Sequence, residues 1–467
     1  MNALLLARWQ FGITTVYHFL FVPLTIGLAF LVAGLQTAWL RTGKDHYLRA
    51  TKFWGKLFLI NFALGVATGI VQEFQFGMAW SSYSRFVGDV FGAPLAIEGL
   101  LAFFLESTFL GLWIFGWDRL PRRVHAACIW LAAIGTTLSA YFILAANAWM
   151  QHPVGFVLDP ATRTARLTSI WAVLSNSTAI VAFAHTIAAA FLIAGMLMVA
   201  VSSWHLRRGT HTDVLRPSLR LGLWSSLAAS VLTAVTGDID GKIMTEQQPM
   251  KMAAAEALYN TAKPASFSLF TVGSLNGRSE VWSIRLPGVL SFLATGSFHG
   301  QVQGINDVQA AEVAKYGPGV YTPVIPVTYW SFRLMIGFGL LAGLLAVAGL
   351  YLTRGGRTPG ADRRWFHRFA LWGVLFAPLA ASFGWIFTEM GRQPWSVFGV
   401  LATRDSVSPT VGAGTVWTSL IVLTLLYAVL AVIEVGLMMR TARTGPPPGA
   451  GTAGSDEDDH SALGFAY

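Results

Sequence analysis

The stretch WIFTEMGRQPW (385–395) closes a long apolar run and sets Glu389 and Arg392 between Trp385 and Trp395. Charge beside hydrocarbon is costly to hold, so such residues usually mark function. The bland alternative is an interfacial aromatic belt with a snorkelling Arg. Other apolar runs carry similar groups: His18, Glu98, Glu106, His185, Arg333 and Met335. At ~1.5 Å rise per residue, all of these but Glu106 fall in one half of a bilayer, at the level of Glu389. Scattered structural polars have no reason to share a depth.

The residue types narrow the chemistry. Imidazole and thioether are axial ligands of low-spin haem, and His185 and Met335 could form such a pair across two helices. Arg333 lies two positions before Met335 and needs an anion; a haem propionate is one. His18 and Glu389 could each ligate a high-spin haem, leaving one face open to substrate. Against this, a buried Met taken alone is more often core filler. An isolated membrane His serves helix–helix hydrogen bonding as readily as metal binding. Two haem classes are excluded. A haem–copper oxidase needs many membrane histidines with an adjacent pair, and here only His18 and His185 lie well inside apolar runs. A bis-His four-helix cytochrome could use these two for a single haem and leaves the glutamates idle.

The elements that must position these residues are membrane helices. Charged residues make up 12% of the 467 residues, about half the usual globular share. The fold class is all-α, a polytopic membrane protein with about nine spans: 10–40, 53–80, 92–117, 123–150, 172–206, 218–237, 326–353, 366–388 and 414–439. The first run is too long for a signal-peptide core and is expected to be retained. The net charge of +9 sits in short loops and does not indicate nucleic acid. Arg and Lys crowd the loops after spans 1, 3, 5 and 7, which puts the N-terminus outside and the C-terminus in the cytoplasm. The single cysteine, Cys128, forbids an intrachain disulfide or a cysteine-held cluster.

The chain thus divides into spans 1–6 (1–237), a loop on the outer side (238–325), spans 7–9 (326–440) and a Gly/Pro-rich, then acidic, tail (441–467) expected to be disordered. The loop is too long for a simple connection and is expected to be functional. PMKMAAAEALYN (249–260) reads as a short helix led by Pro249. Lys251 falls in its first turn, where the helix dipole disfavours a cation, which hints at a non-structural task. Lys251 and Glu256 would point ~140° apart on a continuous helix and could not grip one small group together.

The chain resembles subunit I of the cytochrome bd-type quinol oxidases, in the version with the shorter quinol loop. The resemblance runs from RWQFGITTVYHFLFVPLTIG (8–27) to the last span. It is carried by TGIVQEFQFGMAW (68–80), GAPLAIEGLLAFFLESTFLG (92–111), ILAANAWMQHPVG (143–155), YWSFRLM (329–335) and GRQPW (391–395). It implies that His185 and Met335 ligate a low-spin haem b. His18 and Glu389 would each serve one of two high-spin haems, a haem b and a haem d (or a further haem b in its place). Glu98 would sit beside the oxygen-reducing haem, and Glu106 with Ser107 and Ser139 would form a proton route from the cytoplasm. Lys251 and Glu256 match positions tied to quinol oxidation, and Arg392 and Trp385 would pack on haem edges or propionates. The implied partners are subunit II in a heterodimer, small single-helix subunits, quinol, O2 and the lipid of a bacterial cytoplasmic membrane. Protons released outside and consumed from inside would make a proton motive force without pumping.

Two other functions compete. A proton-coupled secondary transporter could use Glu98 and Glu106 as its relay, although no internal repeat is evident. A purely structural subunit of a respiratory complex would have no use for Glu, His and Arg at one depth.

Overall fold

A computed structural model describes residues 2–449, apart from 275, 276, 278, 358 and 360–362. Lipid offers no hydrogen-bond partners, so long apolar runs must satisfy their backbone as helices. Among the described residues there are nine helices long and apolar enough to cross a membrane: Ala3–Thr42, Asp45–Met78, Ser81–Phe115, Arg122–Gln151, Ser177–Leu206, Thr212–Gln247, Ile325–Gly356, Arg364–Gly391 and Ala413–Thr444. They are called spans 1 to 9 below. The expected tail falls mostly on residues 450–467, outside the described residues; Thr441–Thr444 still belong to span 9.

Span 3 begins before its apolar run, and span 6 outlasts its own. The stretch GDIDGKIMTEQ (237–247) is too polar to read as membrane, yet it continues the helix to Gln247. An Asp238–Lys242 ion pair one turn apart braces it, and at Gly241 it runs within ordinary contact of Met252 and Leu293. The segment between spans 6 and 7 therefore starts at 248. Span 3 is helical throughout but contains a π-helical segment, Glu98–Phe103. Pro94 precedes it and lacks the N–H that would bond to Val90, a common origin of such irregularities.

Span 5 is the centre of the bundle and packs on spans 1, 4, 6 and 8. Its most extensive packing is on span 6. A Cβ on Gly195 would stand 2.8 Å from the Gly222 carbonyl oxygen, and one on Gly222 would stand 2.8 Å from the Gly195 carbonyl oxygen. Small residues let membrane helices meet backbone to backbone in this way. Spans 3 and 9 are the least covered by the rest of the chain.

The 248–324 segment is a docked module. It holds helix Pro249–Ala255, the antiparallel hairpin Phe267–Gly273/Glu280–Leu286, and helices Val289–Thr295 and Ile305–Tyr316. The expected short helix from Pro249 is present but ends at Ala255, with Glu256 as its C-cap. Met252, Ala255, Leu258, Leu290 and Val302 form one apolar cluster with Phe387 of span 8. Met250, Tyr259, Ile305 and Val308 form another with Ile325 and Tyr329 of span 7. The module thus rests on the ends of the spans that carry Met335 and Glu389.

Replacing Gly222 by Leu should separate spans 5 and 6 and cost about 1–3 kcal/mol, as overpacking does. Thermal unfolding in detergent reads this directly. Gly12→Ala is the control, because nothing lies within 4 Å of a Cβ placed there; it should leave the midpoint unchanged or raise it.

Candidate functional site

The two membrane histidines are held in the same way. His18 Nδ1 lies 2.9 Å from Thr68 Oγ1, and His185 Nδ1 lies 3.0 Å from Thr236 Oγ1. Each threonine hydroxyl donates to its own helix, Thr68 to Leu64 and Gly65 and Thr236 to Leu232. Its oxygen is then left to accept from the imidazole Nδ1–H. That fixes the tautomer with a lone pair on Nε2, the arrangement a metal-binding His requires. A glycine follows each threonine: a Cβ on Gly69 would stand 3.2 Å from His18 Cε1, and one on Gly237 3.3 Å from His185 Cε1. Met335 has a similar neighbour, since a Cβ on Gly384 would stand 2.9 Å from its Sδ.

Glu389 ends span 8 inside a continuous hydrogen-bond chain. Arg392 Nη2 donates to Glu389 Oε2 at 2.5 Å, and Asn147 Nδ2 donates to Oε1 at 2.7 Å. Gln151 Nε2, one turn along span 4, donates to Asn147 Oδ1 at 2.9 Å. Lys251 Nζ donates to Gln151 Oε1, also at 2.9 Å. Arg392 further donates to the Ser396 carbonyl. The chain joins span 8, span 4 and the loop helix. Lys251 is 4% exposed. Burial pulls its ammonium down to about 8, against the opposing pull of the Asp240 and Glu389 carboxylates. Trp385 stacks on Phe19 of span 1 at 4.9 Å between ring centroids.

Glu256 turns away from Lys251, as the helical spacing requires. Its Oε2 accepts from the Ser268 N–H at 2.9 Å and lies 2.7 Å from Arg333 Nη2. The anion facing Arg333 within the protein is therefore Glu256, where the sequence suggested a propionate. Burial raises the Glu256 carboxyl, and Arg333 opposes that rise. The guanidinium also lies 4.5 Å from the Phe267 ring centroid and 4.9 Å from that of Tyr329.

The glutamates of span 3 separate. Ser139 of span 4 donates to Glu98 Oε1 at 2.6 Å, so it serves Glu98 and not Glu106. Ser107 donates to the Phe103 carbonyl of its own helix at 2.7 Å. Glu106 is 8% exposed, at a point where Gly135 of span 4 would put a Cβ 2.8 Å from its backbone nitrogen. A regular helix would leave Glu98 and Glu106 ~80° apart. The π-helical segment between them winds more slowly and takes up part of that angle. Glu98 also interacts electrostatically with Glu73 of span 2, which the sequence reading passed over inside TGIVQEFQFGMAW.

The donor set fits a macrocyclic cofactor. Among the described residues, no three His, Cys, Asp or Glu side chains converge as a protein-only metal cage. The donors stand singly, as suits an iron whose in-plane ligands come from a porphyrin. Several buried polar atoms lack a hydrogen-bond partner among the described residues: Arg333 Nε and Nη1, Arg392 Nε, and the indole nitrogens of Trp385 and Trp395. Buried donors of this kind are normally satisfied, and propionate oxygens would satisfy them.

Apolar spans around a half-buried layer of imidazole, thioether, carboxylate and guanidinium define a polytopic membrane protein with donors for a redox cofactor. A family model described as cytochrome bd terminal oxidase subunit I matches residues 6–446. The cytochrome bd ubiquinol oxidase subunit 1 of Bacillus subtilis (strain 168) is 45% identical over 447 residues, covering 95% of this chain and 94% of that protein. The cytochrome bd-II ubiquinol oxidase subunit 1 of Escherichia coli (strain K12) is 38% identical over 499 residues, covering 94% and 96%. The structure of bd oxidase from Geobacillus thermodenitrificans superposes with a TM-score of 0.86 at 28% identity, covering 95% of this chain and 99% of that one. The chain belongs to the cytochrome bd terminal oxidase subunit I family. It is thus a subunit of a terminal quinol oxidase, a haem enzyme of a bacterial respiratory membrane that works with a second subunit. The transporter and purely structural readings fall away.

The Arg333–Glu256 pair generates a stability prediction. Glu256→Ala strands a buried guanidinium and should cost about 3–5 kcal/mol, while Glu256→Ala with Arg333→Met should recover much of that. Thermal unfolding of the four corners of this double-mutant cycle reports the coupling; additive losses would show that the pair is not coupled.

Proposed function

We propose that this subunit oxidises quinol at the 248–324 module and passes the electrons to haems held by His185 with Met335, by His18 and by Glu389. These would be a low-spin haem b, a high-spin haem b, and a haem d or a further haem b. The observation that carries the reading is the hydrogen-bond chain from Lys251 through Gln151 and Asn147 to Glu389. It ties a buried cation of the loop to a carboxylate in the membrane donor layer. When bound, the haems supply electron transfer and the reduction of O2 to water.

The chain's own residues do the rest. His185 and His18 offer Nε2 in a fixed tautomer. Arg333, Arg392 and Trp385 hold propionates or haem edges. Lys251 and Glu256 face different sides and contact the quinol from two directions, or one of them orients the other wall. Lys251, with its proton affinity lowered toward neutrality, can exchange a proton with a quinol hydroxyl. Glu98 with Ser139, and Glu106 with Ser107, carry protons inward from the cytoplasmic side. With the N-terminus and the 248–324 module outside, quinol protons leave outside while those for water come from within. A proton motive force then arises without pumping. Subunit II completes the heterodimer, with small single-helix subunits beside it.

The test is a reduced-minus-oxidised spectrum joined to quinol turnover. His185→Ala and Met335→Leu should each convert or empty one haem b and abolish quinol-driven O2 consumption, with part of the high-spin haem retained. A normal low-spin b band in both variants would break the assignment. Glu106→Leu should keep haem content while slowing proton uptake from the cytoplasmic face of reconstituted vesicles. Unchanged uptake and turnover would remove Glu106 from the path.

A further inference from the structure

On the loop side of the Lys251–Glu389 chain lies a small cleft of about 10 Å³, room for about one water. Its walls include Gln248 and Lys251 of the loop helix, Arg392 and Trp395 of the turn after span 8, Tyr321, and Glu312 of helix Ile305–Tyr316. Glu312 is 7% exposed, and its Oε2 has no hydrogen-bond partner among the described residues. A carboxylate kept buried without a partner is a cost that a purely structural side chain would have no reason to carry. Polar walls with an unmet acceptor suit water. The outer face of the same helix is wet, with Ala311 and Lys315 exposed beside Glu312. Glu312 thus lies just beneath the water-facing side of its helix, with Lys251 on the same cleft.

Resting on the reading that quinol is oxidised beside Lys251, we propose that Glu312 is the proton acceptor through which this cleft delivers quinol protons to the outer aqueous phase. Each quinol loses two electrons and two protons on becoming quinone. The haems, when bound, would take up those electrons. Each proton leaves as a quinol O–H bond breaks, passes to the Lys251 amine or to water in the cleft, then to the Glu312 carboxylate. Release from Glu312 to external water restores the carboxylate for the next proton. The titratable and charged groups facing Glu312 are Lys251 and Arg392 on the cleft walls, Tyr321 on the segment after its helix, and Lys315 on its own helix. Burial raises the Glu312 carboxyl to about 7, with the Lys315 ammonium opposing. Lys251 lies at about 8. Donor and acceptor are therefore matched near neutrality, which favours fast transfer.

Glu312→Gln keeps the shape and removes the proton acceptor; Glu312→Asp keeps the acceptor. Both are measured in the complete haem-loaded oxidase complex. The Gln variant should lose about tenfold in quinol-driven kcat with KM within about twofold, and Asp should recover most of the loss. The wild-type rate should climb with pH through about 7, as the carboxylate forms, and the Gln variant should be flat there. Turnover with tetramethyl-phenylenediamine, an electron donor that releases no proton, should be unaffected. Three results would overturn the proposal: an unchanged kcat and pH profile in Glu312→Gln, an equal loss with the proton-free donor, or a shifted haem band showing that the cleft belongs to a propionate. Lys251→Ala separates the two readings. Normal quinol kinetics there would sink the quinol site itself, whereas a Lys251 requirement with an indifferent Glu312 would sink only the outlet.

Discussion

A carboxylate and a guanidinium near hydrocarbon must be matched, because neither tolerates a low dielectric alone. Here the matching is done by Arg392, Glu389, Asn147, Gln151 and Lys251 in one uninterrupted chain. Much of the architecture serves it. Span 4 presents Asn147 and Gln151 on one face, a turn apart. Span 8 ends where Glu389 and Arg392 can pair. The loop helix begins at Pro249 so that Lys251 points inward, and Gly391 leaves room for its stem: a Cβ there would stand 2.7 Å from Lys251 Cγ. Removing any member would leave its neighbours with unmet polar groups, so the layer stands or falls together.

The second constraint is how the loop module holds to the membrane bundle. It does so through apolar clusters on Phe387 and Tyr329, and through Glu256 on Arg333. These contacts fall on spans 7 and 8, one turn or so from Met335 and Glu389. A module seated there cannot shift without disturbing the donor layer. The hairpin Phe267–Gly273/Glu280–Leu286 joins the same seat through Ser268, which bonds Glu256 and Tyr329, and presents Val281, Trp282 and Ile284 outward.

What could be read from the sequence was what residue type and hydropathy carry. Single His, Met, Glu and Arg residues stand out against apolar runs, and the nine runs themselves are unambiguous. The supporting residues were silent because their types are ordinary. Thr68 and Thr236 are unremarkable until each is seen to precede a glycine, as Thr-Gly, opposite a histidine. Asn147 and Gln151 carried the signal of two amides a turn apart in an apolar helix. Glu256 as the partner of Arg333 joins residues far apart in the chain, and nothing local announces it. Span 6 outlasted its apolar run because hydropathy reports where lipid ends and not where a helix ends. Nothing in the sequence marks Glu312, and only tertiary packing buries it.

The π-helical segment at Glu98–Phe103 makes span 3 a two-phase rod. Its two halves, Ser81–Ile97 and Phe104–Phe115, keep separate angular registers, and the segment is the vernier between them. Its six residues turn the chain about as far as five would in a regular α-helix. Winding all six as regular α-helix would rotate everything on one side by ~100° about the axis. Trp113 would then no longer face its Gln36 acceptor while Glu98 kept its serine, or the reverse. The winding of this stretch is therefore as much a part of the design as the identity of its residues: a change in it would leave every side chain chemically as it is and put half of them out of phase.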